Sequence, residues 1–101
     1  MKILILEDNK FDADLASRHI LKNFEDCQID IAISIEEARK LVHNKYDLAL
    51  LDIKLPDGYG TDFLIELRKH DRDILIMMLT GSGDEEFVVT ALKSGADDYI
   101  I

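Results

Sequence analysis

Residues 2–6, 48–51 and 74–79 are short, almost unbroken apolar runs, and the stretches between them repeat apolar residues at helical spacing. Runs of this kind lack the alternation of a strand with one wet face, so they read as parallel strands buried on both sides. Parallel strands need crossover connections, and helices supply them with a fixed hand. The chain is thereby confined to a layered α/β fold. Each run also leads to an oxygen-bearing side chain: Glu7-Asp8 after the first, Asp52 after the second, Thr80 after the third. Open α/β sheets bind ligands beyond the carboxyl ends of their strands. These four side chains are therefore expected at one crevice.

Read along its length, the sequence predicts five strands alternating with four helices. The first strand covers 2–6, and a helix follows over 12–24 with Leu15, Ala16, Ile20 and Phe24 on one face. The second strand is 28–32. Ser34 with Glu37 forms a capping box opening the second helix, which turns Ala38, Leu41 and Val42 inward. The third strand ends at Asp52, and residues 55–60 (Leu-Pro-Asp-Gly-Tyr-Gly) form a turn-rich loop. A third helix over 61–70, a strand over 74–79 with Met77 and Met78 facing opposite layers, and a loop over 80–84 come next. A fourth helix over 85–94 stops at Gly95, and a fifth strand occupies 98–101. The strand order expected of a small sheet of this kind is 2-1-3-4-5, which sets Glu7-Asp8 beside Asp52.

With 101 residues the chain makes one domain. Twelve basic against twenty-one acidic residues leave a net charge of −9, which repels nucleic acid and suits a cation and a basic protein partner. One cysteine, Cys27, excludes an internal disulfide and fits a reducing cytoplasm. Residues 3–6 are too short for a targeting segment, and no stretch has transmembrane length, so a soluble cytoplasmic protein is expected. His19, His43 and His70 lie on separate predicted helices without ligand spacing.

Three carboxylates in one crevice repel one another unless a proton or a cation sits among them. Hard oxygen donors with open positions suit Mg²⁺, which borrows few carboxylates and keeps its waters. A carboxylate beside such an ion can attack phosphorus and form an acyl phosphate. Asp52, alone at the end of the central strand, is the natural nucleophile; Glu7 and Asp8 are the metal ligands, and Thr80 the contact to the phosphoryl group.

These residues resemble the receiver domain of two-component response regulators. The likeness runs through Ile3-Leu4-Ile5-Leu6-Glu7-Asp8, Leu50-Leu51-Asp52, Leu55-Pro56-Asp57-Gly58-Tyr59-Gly60, Leu79-Thr80-Gly81 and Ser94-Gly95-Ala96-Asp97-Asp98-Tyr99, in the family's order and spacing from end to end. It implies a flavodoxin-like, doubly wound α/β fold and a histidine kinase or phosphotransfer protein that passes a phosphoryl group to Asp52. It also implies Mg²⁺ held by Asp8, Asp52 and the Lys54 backbone carbonyl, with Glu7 acting through metal-bound water. Thr80 is then the switch hydroxyl and Tyr99 the aromatic that follows it. Lys54 and Ser82 take the places that tune water attack on the acyl phosphate, and Lys54 suggests a long-lived one. Such a domain is a phosphoacceptor switch that assists its own phosphorylation and dephosphorylation, not an enzyme, and an output domain or downstream protein reads it.

Receivers place a lysine directly after the segment ending Tyr99-Ile100-Ile101, and a fifth helix beyond it. Neither is in the sequence, so residues 1–101 are expected to form a receiver lacking that turn and helix. The first and fifth helices would share one face of the sheet, so part of that face is expected to be bare and to promote dimerisation or exchange of elements.

Two other classes compete with this reading. The complete set of Glu7, Asp8, Asp52 and Thr80 argues against a pseudo-receiver that binds partners without phosphoryl chemistry, while the missing lysine keeps that alternative open for residues 1–101. Enzymes on similar sheets fail on single residues: Lys54 stands where a haloacid-dehalogenase-type phosphatase needs a second acid. Gly81-Ser82-Gly83-Asp84 lacks the Gly-Lys-Ser/Thr of a P-loop, and Glu7-Asp8-Asn9 replaces the hydroxyl-rich loop of an FMN binder.

Overall fold

The computed structural model describes residues 1–100. In chain order these form β1 (Lys2–Leu6), α1 (Lys10–Asn23), β2 (Gln28–Ala32), α2 (Ile35–Leu41), a 3₁₀ turn (Val42–Asn44) and β3 (Leu48–Asp52). There follow β4 (Lys54–Leu55), β5 (Gly58–Tyr59), α3 (Gly60–His70), β6 (Leu75–Leu79), α4 (Glu85–Lys93) and β7 (Asp98–Ile100). The five longer strands are parallel in the order β2-β1-β3-β6-β7. With the two short strands set aside, that is the expected 2-1-3-4-5. Residue 101, the last of the expected fifth strand, lies outside the described residues.

Local chemistry explains where the helices begin. Asn9, in an extended conformation, accepts from the Asp12 amide at 3.0 Å and starts α1 two residues before the sequence suggested. Ser34 Oγ accepts from the Glu37 amide at 3.1 Å as expected, but the Glu37 carboxylate reaches past Ser34 to the Ile33 amide, at 3.4 Å. A further cap comes from across the molecule. Asp57, in the turn between β4 and β5, accepts from the amides of Ile35 (2.9 Å) and Glu36 (3.0 Å). Those two bonds hold the carboxylate below its usual range. The turn-rich stretch is thus a small antiparallel hairpin latched to α2.

The sheet separates two apolar layers. The larger holds Leu4, Leu6, Leu51, Ile53, Phe63, Leu64, Leu67, Ile76 and Met78, with Ala38 of α2 and Ala91 of α4 packed into it. The smaller is built on Ile3, Ile5 and Leu50 beneath Ala16 and Ile20 of α1, with Met77 at its edge. Met77 and Met78 therefore face opposite layers, as their strand position requires.

Beside α1, a groove of about 700 Å³ runs between the helix and the β6–β7 edge, with Leu15, Ile20, Leu50, Leu79 and Ile100 on its walls. Among the described residues α1 is the one helix that lines it. The groove also corrects the reading of α1. Leu15 is 55% exposed because it borders the open groove, while Ala13, Ala16 and Ile20 take the inward positions. Phe24 is 57% exposed because it lies past the last helical turn, in extended backbone that breaks the 3.6-residue period.

At the opposite end of the strands Arg68 ties α3 to its neighbours. Its guanidinium donates to the carbonyls of Gly95 (2.8 and 3.1 Å), Ile74 (2.7 Å) and Arg72 (3.0 Å), and to the Asp97 carboxylate (3.0 Å). Asp97 in turn accepts from the Ile76 amide at 2.9 Å. Gly95 has φ +118, and a Cβ there would press on the Arg68 side chain at 3.1 Å.

Candidate functional site

Parallel register brings the acids together. Leu6 lies opposite Leu51, so the chain leaves β1 at Glu7 level with Asp52 on β3. Glu7 is anchored there by its amide, which donates to the Ala32 carbonyl at 3.0 Å. Its side chain, 7% exposed, accepts from the Asn9 amide at 3.1 Å. Asp52 is half-buried and accepts from the Ile53 amide at 2.8 Å. Asp8 stands exposed at the rim. One carboxylate oxygen from each of Glu7, Asp8 and Asp52 lies within 4.8 Å of the others. Among the described residues this is the only such group of three or more metal-ligating side chains.

The electrostatics are those of an uncompensated anionic pocket. Burial pushes the Glu7 carboxyl up to about 7; the Asn9 amide pulls against this, and the nearby Asp52 charge adds to it. Burial also raises Asp52, partly offset by the Ile53 amide, while Asp8 and Asp84 push in the same direction as burial. A cation removes this conflict as well as a proton does. Hard carboxylate oxygens at this separation, with an exposed rim on one side, fit a small divalent ion that keeps part of its water shell.

Around this cluster the remaining residues fall at different distances from the chemistry. Thr80 follows β6 and shares the groove with Glu7 and Asp52; its Oγ donates to the Ile100 carbonyl at 3.2 Å and its amide to the same oxygen at 2.8 Å. Tyr99 and Ser82 belong to a smaller pocket on the α4 side, with Thr80, Gly81, Val88 and Val89. Lys54 is exposed at the start of β4, one residue beyond the buried Ile53. His43 and His70 meet edge-on at 6.3 Å at the far end of the sheet, a contact that sequence spacing hid.

Asp84 is the residue the sequence reading passed over. It lines the same groove as Asp52, is only 9% exposed, and accepts from the Gly81 amide at 2.8 Å. The signal available was its position three residues after Gly81, a spacing at which aspartate often bonds back to the backbone.

The hairpin that follows β3 returns to the site. The Gly60 amide donates to the Ile53 carbonyl at 2.7 Å, and Tyr59 stacks on Phe87 of α4 at 5.0 Å. The loop carrying Lys54 is thereby braced against both the strand and the fourth helix.

Comparison with known proteins gives one consistent picture. Residues 3–101 match the family model described as the response regulator receiver domain. The response regulator SaeR of Staphylococcus aureus is 31% identical over 98 residues, covering 97% of this chain and 42% of its own length. The chain thus spans less than half of the curated relatives it matches. A CheY-like receiver domain protein from Methanospirillum hungatei superposes with a TM-score of 0.86 at 37% identity, covering 98% of this chain and 78% of the other. A response regulator from Burkholderia pseudomallei, solved with a phosphorylated aspartic acid, calcium ion and citrate, superposes with a TM-score of 0.86 at 26% identity, over 97% of this chain and 57% of that one.

Proposed function

Since this chain belongs to the response regulator receiver domain family of two-component signalling, we propose that it accepts a phosphoryl group on Asp52 from the phosphohistidine of a histidine kinase or phosphotransfer protein. The observation that carries the reading is the convergence of Glu7, Asp8 and Asp52 within 4.8 Å beside Thr80. An Asp52 carboxylate oxygen forms the new bond to phosphorus as the P–N bond of the donor breaks. The donor imidazole keeps the bonding pair and leaves as the neutral ring, its other nitrogen already protonated. Thr80 supplies a hydroxyl to the transferred group once it lets go of the Ile100 carbonyl.

Mg²⁺ is the expected cofactor, with Asp8, Asp52 and the Lys54 carbonyl as ligands and Glu7 acting through water. Bound there, it would neutralise charge on the phosphoryl oxygens. Thr80 and Tyr99 share one pocket wall, which supports their coupling as a switch read at the α4–β7 face by an output domain or a downstream protein. Lys54 and Ser82 are the positions assigned to tuning acyl-phosphate lifetime. We read residues 1–101 as one receiver domain, a cytoplasmic switch that assists its own chemistry without being an enzyme.

Intact mass after incubation with Mg²⁺ and acetyl phosphate tests this. A phosphoryl adduct on the parent chain that is lost with Asp52→Asn is the expected result. No adduct on the folded parent would replace this reading with a phosphorylation-independent interaction module.

A further inference from the structure

Three hydrogen-bond donors in and beside the groove around Asp52 are each bonded to an internal acceptor. Ile53 N–H points at Asp52 itself, Thr80 Oγ at the Ile100 carbonyl, and Gly81 N–H at the Asp84 carboxylate. Of the two donors turned away from Asp52, the Gly81 amide alone meets a carboxylate, and a charged acceptor binds an amide more strongly than a neutral one does. Asp84 is also almost fully buried, lining the groove with Asp52 and Thr80.

Asp84 stands at the N-cap position of α4, yet its side chain makes no capping bond. Aspartate is among the preferred N-cap residues, and its carboxylate would there accept from an amide of the first turn. It therefore has two alternative sets of donors. One is the Gly81 amide behind it in the chain, and the other is the start of α4 ahead of it. A phosphoryl group on Asp52 would carry close to two negative charges into the groove. It would compete for the Gly81 amide and repel the carboxylate that holds it.

We infer that Asp84 is a positioning residue that withholds the Gly81 amide from an anion on Asp52, and that phosphorylation moves its carboxylate to the first turn of α4. The inference rests on Asp52 as the phosphoacceptor. It gives the site a built-in resistance to anions and a direct mechanical link to α4.

The test uses beryllofluoride with Mg²⁺ as the phosphoryl mimic, followed by amide NMR on the parent, Asp84→Ala and Asp84→Asn chains. Asp84→Ala removes both bond and charge; Asp84→Asn keeps an acceptor without the charge and serves if the alanine variant folds poorly. The expected result is binding about tenfold tighter in Asp84→Ala, with Asp84→Asn in between. In the parent, the amides of Gly81, Glu86 and Phe87 should shift together on binding, whereas in Asp84→Ala the response of Glu86 and Phe87 is lost. Equal affinities in folded parent and variants would overturn the role of Asp84 while leaving Asp52 as phosphoacceptor. Binding by none of the folded chains would overturn both.

Discussion

The α-carbon of Gly60 packs directly against the main chain of Asp52: a Cβ added to Gly60 would lie 1.8 Å from the Asp52 carbonyl oxygen and 3.0 Å from its carbon. The contact closes the hairpin back on the strand end that carries the reactive carboxylate. Backbone touching backbone leaves no flexible side chain to yield.

Gly60→Ala should therefore cost roughly 3 kcal/mol of stability and displace the Asp52 main chain. Gly83 provides the contrast, since a Cβ there meets nothing within 4 Å and only its φ of +87 opposes substitution. Gly83→Ala should cost about 1 kcal/mol. Urea unfolding of both variants checks the difference, and equal costs would refute the close-approach account.

Glu7 should make metal-free stability fall as pH rises. Its folded-state carboxyl titrates at about 7 against an ordinary 4.5, so across that window the folded chain holds a proton that the unfolded chain has released. The stabilisation is complete below the unfolded value and is lost as pH climbs through the folded one, by at most about 3 kcal/mol. Glu7→Gln should flatten this part of the profile. Thermal melts in a chelator between pH 4.5 and 8 measure it.

A divalent cation should reverse that trend by binding the ionised cluster. Mg²⁺ at a hundred times its dissociation constant should add about 2.7 kcal/mol relative to chelator. Asp8→Asn and Asp52→Asn should each remove most of the gain. Asp14→Asn should leave it intact, because Asp14 lies on the surface of α1 paired with Arg18. Melting curves with and without Mg²⁺ separate these outcomes.

Removing the Arg68 guanidinium should cost roughly 2–4 kcal/mol, since it strips the Gly95 and Ile74 carbonyls of this donor and leaves the Asp97 carboxylate with the Ile76 amide alone. Arg68→Lys should recover little. A single ammonium cannot span acceptors in the turn after α3, at the strand entry and in the α4–β7 turn together. Denaturant midpoints for Arg68→Ala and Arg68→Lys provide the comparison.

The sheet was legible because its strands are buried on both faces and so lack polar interruptions, and the site was legible because acids at strand ends must converge once strand order is known. Where one of these conditions failed, so did the reading. The strands of the hairpin over 54–59 are two residues each, too short for any periodicity to mark them. Leu15 and Phe24 obey helical spacing but meet the open groove and the helix end, and only the three-dimensional structure shows either. Asp84 sits in a glycine-rich loop, where an acid ordinarily means nothing more than solvation. Asp57 caps a helix more than twenty residues before it, a relation with no local trace.

Leu6 opposite Leu51 has a consequence for how this molecule comes to exist. The residues that make the pocket arrive from opposite halves of the sequence, and they meet only after the intervening β2 and α2 have been looped out and docked. Such pairing is entropically slow and comes with the collapse of the whole sheet. A fragment holding only one of these two strand ends would lack part of the carboxylate cluster. Metal uptake would therefore report that the topology is complete, and a nascent chain would become competent in a single step.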